Sequence, residues 1–331
     1  MKFVTFEVET LVGPVQRIGV LQGQQIIDLH AVYASYLREV RGIYRWREMA
    51  QAILPADMLK FIEGGEMVME AAQSALDYLE RIGRSAEGEG GERHVYQLSE
   101  IRLMAPIPRP VSIRDCSAFP QHSMNMQAAK QPGAELPEVW YEIPAHYRTS
   151  STDVVGPDAP ILWPSYTEKL DYELEVALCI GKYGVNIPVE KAEEYIFGYT
   201  IFNDISARDF QRKEMSLKLG PTKAKSFQNS NIMGPCLGTP DEIDVNNLRM
   251  TARINGEVWS DGNTRDMHFK FPELIAYLSK DDPIYPGEFI GSGTIGFGSG
   301  MELDKWIKPG DIVELEVEGI GILRNRVERH P

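Results

Sequence analysis

Alternation of apolar and polar residues constrains this chain most, because it predicts strands with one covered and one open face. Two long runs carry the alternation, LDYELEVALCIG and DIVELEVEGIGILRNRV, and both contain the tetrapeptide ELEV, at 173–176 and 314–317. Residues two apart on a strand point to the same side, so each copy directs a pair of carboxylates one way. Each pair either forms a functional site or lies on the solvent-exposed face of a sheet.

The composition excludes several classes of protein. Hydrophobic residues make up 43% and charged residues 25% of the 331 residues, a balance typical of soluble globular proteins. The chain has neither an apolar run of about 18 residues nor a secretory signal at its start, so we expect a cytoplasmic protein. A formal net charge of −14 argues against nucleic acid and anionic membranes as partners. A local basic pocket could still bind a small anion.

The predicted secondary structure changes along the chain. Short strands and then helical periodicity fill the first hundred residues, and strands and turns dominate from about Ile101 onward. Between them lies RSAEGEGGERH, which we interpret as a surface loop near a domain boundary; an ordinary loop within one domain is the alternative. We therefore predict an α+β protein with a smaller N-terminal α/β domain at 1–100 and a strand-rich domain at 101–331.

The second ELEV copy has an explanation in its own hairpin. A turn at 319–321 would bring the strand that follows it back against the copy. The predicted register places Glu318 opposite Ile322, Glu316 opposite Arg324, and Glu314 opposite Arg326. Cross-strand pairs of opposite charge stabilise a sheet, so we predict a structural role for this copy.

The first ELEV copy lacks such partners. Asp171, Glu173 and Glu175 share one strand face, which turns apolar at Ala177 and Cys179, and no basic residue follows within reach of a hairpin. Unpaired carboxylates that converge raise one another's pKa. A hard divalent cation would relieve this repulsion, because such cations prefer oxygen ligands. Glu-x-Glu is also common on exposed sheet faces, so the pair alone does not define a site.

Two further segments add candidate residues. YTIFNDISARDFQ predicts a strand that ends at Asp204 and turns into a helix with Arg208 and Gln211 on one face; Asp204 could instead be an ordinary N-terminal acid of that helix. SIRDCSAFPQHSMN places Asp115 at a strand end and His122 in the loop after it. His122 could act as a general base or be an exposed bystander.

These segments, together with WYEIPAHY, LGPTKAKSF, GSGTIG and GMELDKW, occur in an order that resembles the fumarylacetoacetate hydrolase family. The resemblance covers the chain from about Ile101 to its end. It implies a C-terminal mixed β-roll, a smaller N-terminal domain and a homodimer. It also implies site residues: metal ligands at Asp115, Glu173, Glu175 and Asp204; catalytic groups at His122, Glu302, Arg208 and Lys225; and substrate contacts at Tyr147, Gln211 and Thr294.

The resemblance implies an enzyme with one divalent cation, Mg²⁺, Mn²⁺ or Ca²⁺. The expected activity is hydrolysis of a carbon–carbon bond in a 1,3-diketo acid, such as an acylpyruvate or a fumarylacetoacetate-like substrate, so the partner is a small anionic dicarbonyl compound. An isomerase or an oxaloacetate decarboxylase of the same family is the alternative, because it uses the same cation and enolate without attack by water. A cation-binding module without activity is a third interpretation, which the guanidinium of Arg208 disfavours.

Overall fold

The computed structural model describes residues 1–128 and 132–329. Four α-helices follow one another between residues 29 and 81, and strands dominate the chain after them, which confirms the predicted α+β class. The α-helices are α1 (Leu29–Glu39), α2 (Trp46–Ile53), α3 (Met58–Glu63), α4 (Gly65–Arg81), α5 (Pro120–Ala128), α6 (Arg208–Met215) and α7 (Phe271–Leu278). Among the described residues, no helix combines the length and the apolar character needed to cross a membrane.

The β-strands are short and follow one another closely after α4. They are β1 (Lys2–Thr10), β2 (Gly13–Gln22), β3 (Gln25–Asp28), β4 (Val95–Gln97), β5 (Arg102–Leu103), β6 (Ile113–Cys116), β7 (His146–Thr149), β8 (Val154–Val155), β9 (Pro160–Trp163), β10 (Leu170–Asp171), β11 (Leu174–Ile180), β12 (Ile196–Asp204), β13 (Ser206–Ala207), β14 (Asn231–Gly238), β15 (Arg249–Ile254), β16 (Glu257–Asn263), β17 (Phe289–Gly291), β18 (Ile312–Val317) and β19 (Gly321–Arg329).

One large sheet runs through most of the molecule. Its strands follow the order β4-β3-β2-β1-β14-β12-β11-β17-β6-β7, with β5 beside β1 and β8 beside β14. β1 joins β14 where Lys2 faces Gly238 and Phe3 faces Leu237, so the N-terminal strands continue the sheet of the later residues. A second sheet has the order β16-β15-β18-β19-β9. The division into domains at 1–100 and 101–331 stays a prediction.

The two faces of β11, the strand that the alternation predicted, pack into different apolar cores. Leu174, Val176 and Leu178 belong to one buried cluster, while Ala177 and Cys179 belong to the other. Successive side chains of a strand leave opposite faces, so β11 lies between the two cores. The predicted acidic face therefore does enter apolar surroundings.

The predicted register of the second ELEV copy is wrong by two residues. Glu314 lies opposite Arg324, and Glu316 lies opposite Ile322. The turn is centred on Gly319, whose φ of 77° lies in the left-handed region that glycine adopts without steric cost. A shift of two keeps every side chain on its own face.

Basic partners still surround the second copy. Oε1 of Glu314 lies 3.6 Å from Nε of Arg324, and Oε2 of Glu316 lies 2.6 Å from Nη1 of Arg253 on β15. These pairs are partly exposed, so each contributes little to stability. The geometry supports the structural role that was predicted for this copy.

Candidate functional site

Three buried carboxylates meet at the centre of the large sheet. Asp115 lies on β6, Glu175 on β11 and Asp204 at the end of β12, and one oxygen from each lies within 4.8 Å of the others. Gly291 of β17 separates β6 from β11. A Cβ atom on Gly291 would lie 2.3 Å from Oδ1 of Asp115, so only glycine leaves room for this cluster.

The carboxylate cluster has oxygens that the described residues leave without a hydrogen bond, namely Oδ1 of Asp115, Oε2 of Glu175 and Oδ1 of Asp204. Burial raises the pKa of each of these carboxyls, and the charges of neighbouring carboxylates raise it further. Three unsatisfied buried oxygens of this kind are the donor set that a hard divalent cation prefers. The residues present therefore fit a bound Mg²⁺, Mn²⁺ or Ca²⁺.

Glu173, predicted as a fourth ligand, lies beside this cluster and contacts two cations. Its Oε1 is 2.7 Å from Nη2 of Arg208, and its Oε2 contacts Nζ of Lys225. Burial alone would raise the pKa of Glu173, but these two positive charges outweigh burial and hold it well below its usual value. The structure brings three of the four predicted ligands together and pairs the fourth with basic residues from distant parts of the chain.

Arg208 and Lys225 are both buried. Nε of Arg208 donates to Asp171 at 2.8 Å, and its Nη1 donates to Gln211 at 3.1 Å. Nζ of Lys225 lies between Glu173 and Asp204. Burial would lower the pKa of Lys225, but the adjacent carboxylates reverse this and raise it, so the ammonium remains charged.

His122 forms a dyad with Glu302. Nδ1 of His122 lies 2.8 Å from Oε2 of Glu302, and Nε2 lies 3.9 Å from Oε1 of Glu173. A carboxylate at Nδ1 favours the tautomer with its proton on Nδ1, which leaves a lone pair on Nε2 directed to the site. His122 belongs to helix α5, so its predicted position in a loop is wrong. Pro120 begins this helix, as proline does readily at a first helical position.

Glu302 is held from several directions. Its carboxylate accepts hydrogen bonds from Asn125 at 2.8 Å, from the hydroxyl of Ser299 at 2.8 Å and from the backbone N–H of Phe297 at 2.9 Å. Burial would raise the pKa of Glu302, but the hydrogen bonds, led by that of His122, hold it below its ordinary value. A fixed, ionised Glu302 orients the imidazole and favours the tautomer with its proton on Nδ1.

These groups border a cavity of about 510 Å³. Of the predicted site residues, eight line it: Asp115, His122, Tyr147, Glu173, Arg208, Gln211, Lys225 and Thr294. The other three do not line the cavity but contact residues that do. Glu175 accepts a hydrogen bond from Thr294 at 3.1 Å, Asp204 accepts one from the hydroxyl of Tyr147, and Glu302 contacts His122. All predicted site residues thus belong to one constellation.

A family model supplies the decisive comparison. The model described as "Fumarylacetoacetate (FAA) hydrolase C-terminal" matches residues 112–328. The chain belongs to the fumarylacetoacetate hydrolase family. This agrees with the resemblance that the ordered segments suggested.

Similar proteins cover most or all of the chain. The mitochondrial oxaloacetate tautomerase fahd2 of Xenopus laevis is 31% identical over 334 residues, covering 99% of this chain and 90% of the relative. The oxaloacetate tautomerase YisK of Bacillus subtilis (strain 168) is 34% identical over 280 residues, covering 83% and 87%. A solved structure of maleylpyruvate hydrolase from Sphingobium sp. SYK-6, in complex with manganese(II) ion and pyruvate, has a TM-score of 0.69 at 20% identity and covers 100% of both chains. That last likeness shows the fold alone.

In this family member, sequence analysis missed two groups of residues. Asp171, seen only as part of an acidic face, fixes Arg208 and accepts backbone hydrogen bonds from Gly300 at 2.8 Å and Met301 at 3.1 Å. The second group is the apolar part of the cavity wall, formed by Met126, Met215 and Leu219. Met126 belongs to α5, whereas Met215 and Leu219 lie four residues apart at and after the end of α6, so no single local pattern connects all three.

Proposed function

We propose that this protein is a divalent-cation-dependent enzyme that interconverts the keto and enol forms of a small 2-oxo dicarboxylic acid of the oxaloacetate type. One observation carries the proposal: the His122–Glu302 dyad directs Nε2 toward Glu173, which lies beside a buried carboxylate cluster that fits a divalent cation. Relatives of 31% and 34% identity that are named oxaloacetate tautomerases support this choice over carbon–carbon bond hydrolysis.

Asp115, Glu175 and Asp204 would hold the cation, with Glu173 adjacent to them. A bound divalent cation supplies Lewis acidity, which polarises a carbonyl group and makes its neighbouring C–H bond more acidic. Mg²⁺, Mn²⁺ and Ca²⁺ are the proposed ions; Mn²⁺ has the support of a structural relative that contains it. The homodimer that the resemblance implies stays a prediction, and the molar mass in solution tests it.

The chain's own residues move the proton. Nε2 of His122 takes a proton from C3 of the 2-oxo acid, and the imidazolium that forms is stabilised by Glu302. The ammonium of Lys225 stabilises negative charge that develops on the 2-oxo oxygen. The proton then returns to that oxygen, so one C–H bond breaks, one O–H bond forms and the composition is unchanged. General acid–base catalysis of this kind typically contributes about 10²–10⁴-fold.

Hydrolysis of an acylpyruvate is the second candidate, and the cavity wall favours it. Met126, Met215 and Leu219 offer an apolar surface that suits an acyl chain better than a carboxylate. His122 would then take its proton from water, and the carbon–carbon bond next to the attacked carbonyl would break. The same dyad serves both reactions, so the substrate decides between them.

The test supplies freshly dissolved oxaloacetate and, separately, an acylpyruvate, each with Mn²⁺, with Mg²⁺ or with EDTA. Ultraviolet absorption follows the enol, and a coupled assay measures released pyruvate. We expect cation-dependent acceleration of keto–enol equilibration without release of pyruvate. Release from the acylpyruvate would establish the second candidate, and release from oxaloacetate faster than with the cation alone would establish a decarboxylase. No effect on either compound would overturn the proposal.

A further inference from the structure

Helix α6 touches the site at both of its ends. Arg208, its first residue, contacts Glu173. In its last turn, the carboxylate of Glu214 accepts four hydrogen bonds: from the hydroxyl of Thr222 at 2.8 Å and from the backbone N–H groups of Thr222 at 3.0 Å, Lys223 at 2.7 Å and Ala224 at 3.0 Å. Burial would raise the pKa of Glu214, but these bonds outweigh it and lower the pKa, so the acceptor is a carboxylate.

The four hydrogen bonds end directly before Lys225. After Lys225 the chain is fixed separately, because the carbonyl of Lys225 accepts hydrogen bonds from Thr149 at 3.0 Å and Ser230 at 2.9 Å. Before Lys225, the N–H groups of the turn donate to Glu214, and the N–H of Lys225 donates to the carbonyl of Thr222 at 3.1 Å. Two carbonyls of the same turn are held from elsewhere: that of Lys223 accepts from the hydroxyl of Tyr166 at 2.8 Å, and that of Ala224 accepts from the N–H of Ala207 at 3.0 Å. Glu214 is therefore the side chain that holds the three consecutive N–H groups directly before the residue that places an ammonium between two site carboxylates.

The segment from 216 to 221 cannot fix this turn by packing. The side chains of Leu217 and Leu219 are 71% and 84% exposed. Lys218 and Gly220 have φ values of 60° and 82°, so the backbone bends twice here, and its hydrogen bonds are short-range turn bonds such as that from the N–H of Lys218 to the carbonyl of Met215 at 3.1 Å. A segment with few buried contacts opens locally at low free-energy cost. A carboxylate that bridges three consecutive N–H groups opposes such opening.

We propose that Glu214 is a positioning residue: its carboxylate fixes the turn at 222–224 and thereby holds Nζ of Lys225 between Glu173 and Asp204. The catalytic consequence rests on the proposed function, in which Lys225 stabilises an oxyanion. The anchoring itself does not depend on which reaction the enzyme performs. Glu214 touches neither the carboxylate cluster nor His122, so its effect on turnover passes through Lys225.

The first experiment needs no substrate. Glu214→Gln replaces one acceptor oxygen by an NH₂ group that opposes the N–H donors, and Glu190→Gln makes the same change at an exposed site. Brief acetylation with an N-hydroxysuccinimide ester, followed by peptide mass spectrometry, measures the accessibility of the buried Lys225. We expect Glu214→Gln to accelerate modification of Lys225 by about tenfold, because a loosened segment opens more often. In Glu190→Gln, we expect Lys225 to be acetylated at the wild-type rate. The exposed Lys182 should be acetylated at the wild-type rate in both variants. Unchanged Lys225 labelling in Glu214→Gln overturns the proposal.

The second experiment is a double-mutant cycle with Lys225→Met. Glu214→Gln should lower kcat/KM by about tenfold in the wild-type background and by less than about twofold when Lys225 is already Met, as residues that act through one another are not additive. Equal losses in both backgrounds overturn the positioning role. Glu214→Asp keeps the charge with a shorter reach; it should give intermediate labelling, and it replaces the Gln variant if that variant does not fold. A wild type without turnover refutes the proposed function alone, since the labelling result still decides whether Glu214 anchors Lys225.

Discussion

Nδ1 of His122 lies 2.8 Å from Oε2 of Glu302, although 180 residues separate the two in the chain. His122 comes from helix α5, and Glu302 lies in a short 3₁₀ turn at Met301–Leu303. The contact therefore joins two segments that do not belong to the carboxylate cluster. Proton transfer and cation binding are assigned to separate sets of side chains, and the two can be tested independently.

Replacing His122 with alanine should remove proton transfer and leave cation binding intact. We expect kcat to fall by about 10²–10⁴-fold, the usual contribution of a general base. Affinity for Mn²⁺, measured by calorimetry, should change little, because the two carboxylates beside His122, Glu302 and Glu173, lie outside the cluster of three, which remains. Full activity in His122→Ala would contradict the assigned role under either proposed reaction.

Removing one carboxylate of the cluster should abolish stabilisation by a cation. A ligand present at 100 times its dissociation constant stabilises a folded protein by about 2.7 kcal/mol. We expect wild type to show this gain with Mn²⁺ in thermal unfolding and Glu175→Gln to lose it. Glu316→Gln is the matched control, because it changes the same position of the other ELEV copy. Equal responses of the two variants to Mn²⁺ would argue against the site.

The first glutamates of the two copies should differ in their effect on stability. Glu173→Gln leaves the buried Arg208 and Lys225 without their shared carboxylate. Breaking a buried ion pair from one side typically lowers the free energy of unfolding by about 3–5 kcal/mol. Glu314→Gln removes a partly exposed partner of Arg324 and should cost less than about 1 kcal/mol. Urea titration of both variants measures the difference, and similar losses would contradict it.

Glu302 should make the free energy of unfolding depend on pH in the acidic range. Its pKa in the folded protein is depressed, while in the unfolded chain it is about 4.3. A depressed carboxyl stabilises the fold above the unfolded value, and that contribution is lost as the pH falls through the folded value. The difference in unfolding free energy between wild type and Glu302→Gln should shrink as the pH falls below about 4.3. If this difference in unfolding free energy grows as the pH falls through that range, the pKa of Glu302 is raised in the folded protein, not depressed.

Period-two patterns carried much of the correct prediction. They located β11 and β18 and the face on which each carboxylate lies, because side-chain direction on a strand follows from residue parity. The register of β18 against β19 was wrong, since either of two nearby glycines could form the turn and only the backbone angles distinguish them. The partner of Glu316 was also hidden, because Arg253 belongs to β15, and the sequence does not show that β15 pairs with the distant β18.

Long-range contacts account for the other misses. The two basic side chains beside Glu173 come from much later in the chain. Lys225 lies 52 positions after Glu173, so a search within hairpin reach could not find it. Helix α5 lacks an apolar stripe and has no buried residues. Its sequence therefore resembles a loop, and its position follows from polar contacts to Glu302.

The position of β17 in the sheet sets an order of events during synthesis. β17 lies between β6, which carries Asp115, and β11, which carries Glu175, and it pairs with both. A nascent chain that has reached only the end of β12 holds all four acids but has no strand to place between those two. At ordinary rates of translation, the wait for β17 lasts on the order of ten seconds. During that interval the ribosome-bound chain carries its acidic residues on strands that are not yet joined, so the proposed cation site would assemble late in its biogenesis.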